Sequence, residues 1–286
     1  MNLRVELGRF VLRLGRFIES LTVVVMRPDD LIEYSRRNYT GPEAIACWGE
    51  DSVLDQGLSF NEKDLLAQVP LTSGRLLLLG LGGGRDAIPM ARMGFEVVGV
   101  DYIKDMVEKA RANAARHGVA IQGLVQEISQ LDVQLASFDL VVIFSAMYSS
   151  IPTRTRRVQM LKRIHDALKP GGYFLCQFIL NPAIDLTRKA ELARKAFALL
   201  TWGNRWFEKG DVIRGSEFLH IFLSEDELRS EFAAGGFEVL HFQSQEFGAW
   251  RGAVLQRPAW IPGTAGEISR PAYAGVPLAG CEGNLI

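Results

Sequence analysis

Cysteine and histidine are scarce in this chain, with three and four of them among 286 residues. Cys47, Cys176 and Cys281 stand far apart, in no spacing that would gather metal ligands or a disulfide framework. A reducing, cytoplasmic setting is therefore expected, with Cys176 as a core residue of a strand. Charge of one sign is lacking too: 32 basic residues face 33 acidic ones, for a net charge of −1. Such balance supplies no field to draw nucleic acid. No apolar run approaches the ~20 residues that cross a bilayer, and no internal repeat is present. A chain of 286 residues then accommodates one substantial core with appendages.

What is there begins at Leu76, where LLLLGLGGGRDAIPMARMGFEVVGVD runs to Asp101. Four consecutive leucines without polar alternation describe a strand buried on both faces of a parallel sheet. Gly80, Gly82, Gly83 and Gly84 then allow positive φ and leave no Cβ between the backbone and a ligand. A short helix over 86–93 aims its first amides at whatever the turn cradles. A second apolar run, 95–100, closes on Asp101, an acid placed to accept the hydroxyl protons of a ribose. The order of strand, glycines, helix, strand and acid is far more specific than the glycines alone. A Gly-rich loop that only reverses the chain is the bland alternative. A nicotinamide-dependent oxidoreductase is the sharper one, but Arg85 stands where the third glycine of Gly-x-Gly-x-x-Gly would fall.

On these residues the chain resembles the class I S-adenosylmethionine-dependent methyltransferases, from about residue 58 to 256. The resemblance implies a doubly wound α/β fold: a mostly parallel seven-stranded sheet, its last strand antiparallel. It implies S-adenosyl-L-methionine as cofactor, with Gly80, Gly82 and Gly84 at its methionine end and Asp101, followed by Tyr102, at the ribose. Glu127 and Ile128, at the end of a strand over 119–126, fit the acid and the amide that hold the adenine. Leu78 departs from the family, which often has an acid there; Asp86 is a nearby carboxylate for the cofactor's ammonium. A fourth strand over 138–144 ends in Ser145-Ala146-Met147-Tyr148, which should face the reactive end of the cofactor. The turn Lys169-Pro170-Gly171-Gly172 and a closing helix, Gly235-Gly236-Phe237 and two strands (237–243, 249–256) also match the family.

Three regions decorate this domain (58–257). Residues 1–57 hold an amphipathic helix and a lid segment. In the helix Leu3, Leu7, Phe10, Val11, Leu14, Phe17, Ile18 and Leu21 recur at helical spacing, with Arg4, Arg9, Arg13 and Arg16 largely elsewhere. It could pack on its own domain or on a dimer partner, cover the active site, or touch a membrane surface. Residues 26–59 read as irregular, with Tyr34 and Tyr39 as lid residues that meet substrate. Residues 181–220 form an insertion over the sheet's carboxyl edge, where a methyl acceptor must approach; its helix (186–200) leads to Trp202, Trp206 and Phe218 as substrate-binding residues. Residues 258–286 are a Pro- and Gly-rich tail that Trp260 and Tyr273 would dock.

Methyl transfer needs alignment, exclusion of water and removal of a proton where the acceptor still carries one. His220, at the end of the aromatic insertion, is the leading general base and Tyr148 the second. A histidine satisfied within a strand pairing is the competing reading of His220. Sequences that hold a planar amide or base nitrogen, a Pro-Cys nucleophile and the acid of a metal-dependent catechol-type enzyme are missing, so no metal is expected. The functional expectation is a methyltransferase acting on a small or lipid-like molecule. A non-catalytic relative that binds cofactor or a partner is the alternative.

Overall fold

The computed structural model describes residues 3–183, 188–215, 217–243 and 250–259. The dock expected of Trp260 and Tyr273 lies outside them. The chain opens with helices α1 (Leu3–Val25), α2 (Pro28–Arg37), α3 (Pro42–Trp48), α4 (Asp51–Leu54) and α5 (Phe60–Ala67). The segment 26–59, expected to be irregular, is thus largely helical. Pro28 and Pro42 each sit at a first helical position, where a missing N–H costs nothing. They start these helices; they do not mark loops.

The glycine motif lies between β1 (Gly74–Leu79) and α6 (Ala87–Arg92), and β2 (Phe95–Asp101), α7 (Lys104–Arg116), β3 (Gln122–Val125) and β4 (Phe138–Ile143) follow. Then come α8 (Arg154–Ala167), β5 (Leu168–Ile179), α9 (Arg188–Leu200), β6 (Asp211–Arg214), β7 (Glu217–His220), α10 (Glu225–Ala234), β8 (Glu238–Phe242) and β9 (Trp250–Gln256). The seven-stranded sheet runs β3-β2-β1-β4-β5-β9-β8. β9 pairs antiparallel with both β5 and β8, and the other pairings are parallel. Strand order reverses between β1 and β4, so the crevice outside their carboxyl ends is the natural ligand position.

The leucine run is explained by two apolar layers. Leu77 and Leu79 pack with Val141, Ile143 and the inner face of α8 and α10, including Met160, Ile164 and Phe232. Leu76 and Leu78 pack on the opposite face with Leu65, Met90, Val107 and Ala110. Alternate residues serve opposite faces, so none can be polar. Leu78 is fully buried in that second layer.

The insertion is built on α9 and the β6–β7 hairpin. Val212 and Leu219 of the hairpin pack with Ala146, Ile179 and Ile221, which sets it over the carboxyl ends of β4 and β5. Ile213 and Phe218 turn to the other side and join Val23, Val24, Leu31 and Ala198. The end of α1 is fastened to this region at Gly203, where a Cβ would overlap the Val24 carbonyl. Asn204 completes the joint, donating from its amide N–H to Val24 and from its side chain to Val23.

Candidate functional site

Asp101 ends β2 at the reversal point, only 7% exposed. Its Oδ2 accepts from Gly82 N–H at 3.0 Å and its Oδ1 from Ile103 N–H at 3.0 Å. Burial pushes this carboxyl above its usual range, and the two amides oppose that shift. The acid and the glycine loop are thus one hydrogen-bonded unit.

Within the loop, Gly80, Gly82 and Gly84 have φ of +86°, +51° and +101°. These are left-handed values that a side chain would strain. A Cβ on Gly82 would meet no atom within 4 Å, so this glycine faces open space. Gly83 is needed for a different reason: a Cβ there would overlap the Trp48 carbonyl at the end of α3. Asn113, buried on α7, donates to the Gly83 carbonyl at 2.8 Å and holds the loop from beneath.

A crevice of about 310 Å³ opens beside Asp101. Tyr102, Gln126 and Glu127 form its floor, and Ile32, Glu33 and Arg36 of α2 form its opposite wall. Arg36 lies over the Tyr102 ring, 5.9 Å from its centroid. Burial and the neighbouring Asp101 raise the Tyr102 phenol well above its ordinary value, so it stays neutral. Glu127 caps a single 3-10 turn: its carboxylate accepts from Ser129 N–H at 2.9 Å and Ser129 Oγ at 2.5 Å. Ionised carboxylates have further lone pairs, so Glu127 can still accept from a ligand. Ile128, half-buried, packs its side chain against the core.

At the other side of the loop, Arg85 reaches Glu62 at 2.6 Å, Asp86 at 2.7 Å and Ser145 Oγ at 3.3 Å. Burial raises the Asp86 carboxyl to about 6, against the pull of Arg85. Ser145 and Ala146 both take positive φ, 55° and 56°, directly after β4. Two consecutive non-glycine residues in that region are costly, and their cluster at a strand's carboxyl end marks a ligand position. The stretch is held by Gln177 of β5, whose Oε1 accepts from Ser145 N–H at 2.9 Å.

The two residues expected to be bases lie elsewhere. Tyr148 is fully buried, stacked on Phe222, and its hydroxyl donates to Glu231 at 2.7 Å. Burial and Glu231 raise the phenol well above its ordinary value. His220 is buried between two acids, with Nδ1 2.8 Å from Asp211 and Nε2 3.3 Å from Glu227. These carboxylates raise the imidazole's pKa against its burial. With both ring nitrogens held by carboxylates, neither is free to take a proton from an acceptor. The competing reading, a histidine satisfied inside a strand pair, describes its position.

Glu208, Asp211 and His220 would offer metal-ligand atoms within 4.8 Å of one another. Arg157, itself fully buried, donates to Glu208 at 2.7 Å and to Glu231 at 2.7 Å. Arg157 supplies positive charge to these acids, and His220 lies in hydrogen-bond reach of Asp211 and Glu227. Glu227 accepts from Leu223 N–H and lies against His220, while Ser224 caps α10 by accepting from Glu227 N–H.

The aromatic residues expected to meet substrate also separate. Phe218 is core, while Trp202 and Trp206 are 72% and 64% exposed on the outer surface. Tyr39 packs 6.1 Å from Trp48, and Tyr34 is half-buried on α2, off the face that walls the crevice. Arg85, Glu62, Gln177 and the wall from α2 were missed in the sequence. Only Arg85 carried a local signal, as a charged residue directly after the glycines.

Comparison with known proteins agrees with this geometry. A family model described as a methyltransferase domain matches residues 76–172. The ubiquinone biosynthesis O-methyltransferase of Cereibacter sphaeroides is 29% identical over 66% of this chain and 70% of its own length. That of Maricaulis maris is 28% identical over 61% of this chain and 63% of its own. Among solved structures, an S-adenosylmethionine-dependent methyltransferase from Methanosarcina mazei superposes with a TM-score of 0.56 at 22% identity, over 71% of this chain and 100% of that one. A Burkholderia thailandensis 1,6-didemethyltoxoflavin-N1-methyltransferase gives 0.54 at 17% identity, over 79% and 88%. The open glycine turn, the buried acid and the adjoining crevice fit S-adenosylmethionine. A methyltransferase domain thus spans residues 76–172, and around it the chain is similar to S-adenosylmethionine-dependent methyltransferases in sequence and fold.

Proposed function

We propose that this methyltransferase acts on an oxygen atom of a small, apolar acceptor. The observation that carries the cofactor half of this reading is Asp101, a buried carboxylate tied to Gly82 beside the crevice of Tyr102 and Glu127. In this reading Asp101 receives the ribose hydroxyls, and Glu127 and the Ile128 amide receive the adenine. Gly80, Gly82 and Gly84 let the methionine end approach the backbone, while Asp86 and Ser145 lie at its polar groups. When bound, S-adenosylmethionine supplies an electrophilic sulfonium methyl.

The acceptor would approach along the carboxyl ends of β4 and β5, beside the floor where Val212 and Leu219 of the hairpin pack on Ala146 and Ile179. That floor is apolar and can align an acceptor and exclude water, the main requirements of an in-line displacement. With His220 and Tyr148 engaged elsewhere, an acceptor that ionises near neutral pH, such as a phenol, suits the site best. Oxygen is chosen because the curated relatives are named for O-methylation in ubiquinone biosynthesis. Residues 1–57 would comprise the amphipathic helix and, after it, a lid segment, 58–257 the methyltransferase domain with 181–220 for the acceptor, and 258–286 a tail. Free thiols at Cys47 and Cys176 suit a cytoplasmic setting, and an apolar acceptor suits peripheral membrane contact through α1.

Isothermal titration with S-adenosylmethionine and S-adenosylhomocysteine, followed by labelled-methyl transfer to a panel of phenols, amines and carbon acids, tests the reading. Cofactor binding with transfer to phenols is expected. Transfer only to nitrogen or carbon would overturn the oxygen assignment. The engagement of both expected bases favours a second reading, a partner-binding relative without turnover. That reading requires cofactor binding with no transfer to any acceptor.

A further inference from the structure

Among the exposed large apolar side chains on the outer part of α1 are Leu3, Leu7, Phe10, Leu14, Phe17 and Ile18. At 3.6 residues per turn they share one stripe. The end of α1 enters the protein body through Val23 and Val24; Val23 lies on the opposite side of the helix from that stripe and Val24 borders it, while every member of the stripe is exposed. The stripe therefore turns outward, over a helix of 23 residues, about 34 Å long. Packing on its own domain, one destination open at the sequence level, applies only to the helix's end.

A second exposed group adjoins the end of α1. Leu199, Leu200 and Trp202 stand on the rim where Gly203 backs onto the Val24 carbonyl, with Trp206 beyond them. Trp202 is held with φ of 52°, and Arg27 donates to its carbonyl at 3.2 Å. Arg205 lies 5.8 Å from its ring centroid. An exposed tryptophan beside a cation suits the boundary between acyl chains and headgroups.

Charge distinguishes the possible occupants. Residues 3–25 contain four arginines and two glutamates, and residues 188–209 contain six cations and two acids. A chain of net charge −1 thus gathers an excess of six positive charges in these two segments, five once the buried Arg194 is set aside. Two copies meeting stripe to stripe would bring those like charges together. An anionic surface would attract them.

We propose that the outward stripe of α1, with Trp202 and Trp206, docks the protein on anionic lipid bilayers, α1 lying in the plane of the headgroups. It deepens, and for its biological purpose rests on, the reading of an apolar acceptor. The docking face continues into α9 and the hairpin, whose inner side covers Ala146 and Ile179. An acceptor dissolved in the bilayer would then be taken up beside the entrance to the site.

The test is co-sedimentation of the full chain with vesicles of phosphatidylcholine alone and of phosphatidylcholine with phosphatidylglycerol. Binding to the anionic vesicles is expected, weakened about tenfold or more as salt rises from ~0.1 to ~0.5 M. The double variant Phe10→Glu with Leu14→Glu should lose it while keeping the wild-type cofactor titration. Absence of binding, equal binding to both vesicle types, or unaltered binding by the variant would overturn the proposal. So would a lipid-free dimer, seen by sedimentation velocity, that the variant dissociates. Vesicle binding without cofactor binding would instead sink the enzymatic reading and leave the docking surface standing.

Discussion

At the scale of single residues, the site depends on how each carboxyl group is held. Replacing Asp101 with alanine removes the acceptor for Gly82 and, in the proposed reading, the acceptor for the ribose. Cofactor affinity should fall by about ten- to a hundredfold, as for the loss of one or two charge-assisted hydrogen bonds, measured by isothermal titration. Asp86 should govern the pH dependence of binding. Its carboxyl is raised to about 6, so it is mostly neutral below that pH, and in the proposed reading it attracts the cofactor's ammonium only above it. Affinity should accordingly tighten as pH rises from about 5 to 7, and Asp86→Asn should flatten the profile. Asp86 acts on folding in the opposite direction, because a raised carboxyl favours the folded state at low pH and that contribution declines as pH rises toward 6. His220 has a structural part. His220→Ala strands Asp211 and Glu227, and stability should drop by about 3 kcal/mol in a denaturant titration. Because its pKa is raised, the stabilisation is full below about 6.5 and is lost as pH passes the folded-state value. The gap between wild type and variant should narrow accordingly.

At the scale of elements, the glycine turn works through contacts that come from distant parts of the chain. Gly82 faces open space, whereas Gly83 is overlain by the end of α3 and gripped by Asn113 of α7. Gly83→Val therefore cannot be accommodated unless α3 moves. A loss of about 1–3 kcal/mol is expected, with weaker cofactor binding; retention of both would place α3 elsewhere in solution. The sequence made the β1–turn–α6–β2 unit legible because periodicity, glycines and the terminal acid are local signals. It misjudged 26–59 because short helices with half-exposed faces, such as α3, have little periodicity to read, and Pro28 and Pro42 look alike as helix starts and as loop residues. The strand over 119–126 shrank to Gln122–Val125, the length that its pairing with β2 supports.

At the scale of the whole molecule, the candidate site is assembled from segments as distant as Glu62 and Gln177, and cofactor binding should stabilise the fold. At a hundred times Kd the gain is about 2.7 kcal/mol, visible as a higher Tm with S-adenosylhomocysteine and absent in the Asp101→Ala variant. Sequence alone determined the nucleotide half: the buried leucine strand, the open glycine turn, Asp101 and the closing antiparallel strand follow from patterns a few residues long. The tertiary structure alone decided what the acceptor half contains. Whether His220 is a base or a buried ion-pair partner depends on where Asp211 and Glu227 fall around it. Whether Phe218 or Trp202 faces a ligand depends on which side of the hairpin and helix meets α1. Local patterns record whether a side chain will be buried, because period and hydrophobicity are written along the chain. They do not record its neighbours, because those are brought together only by the packing of remote segments.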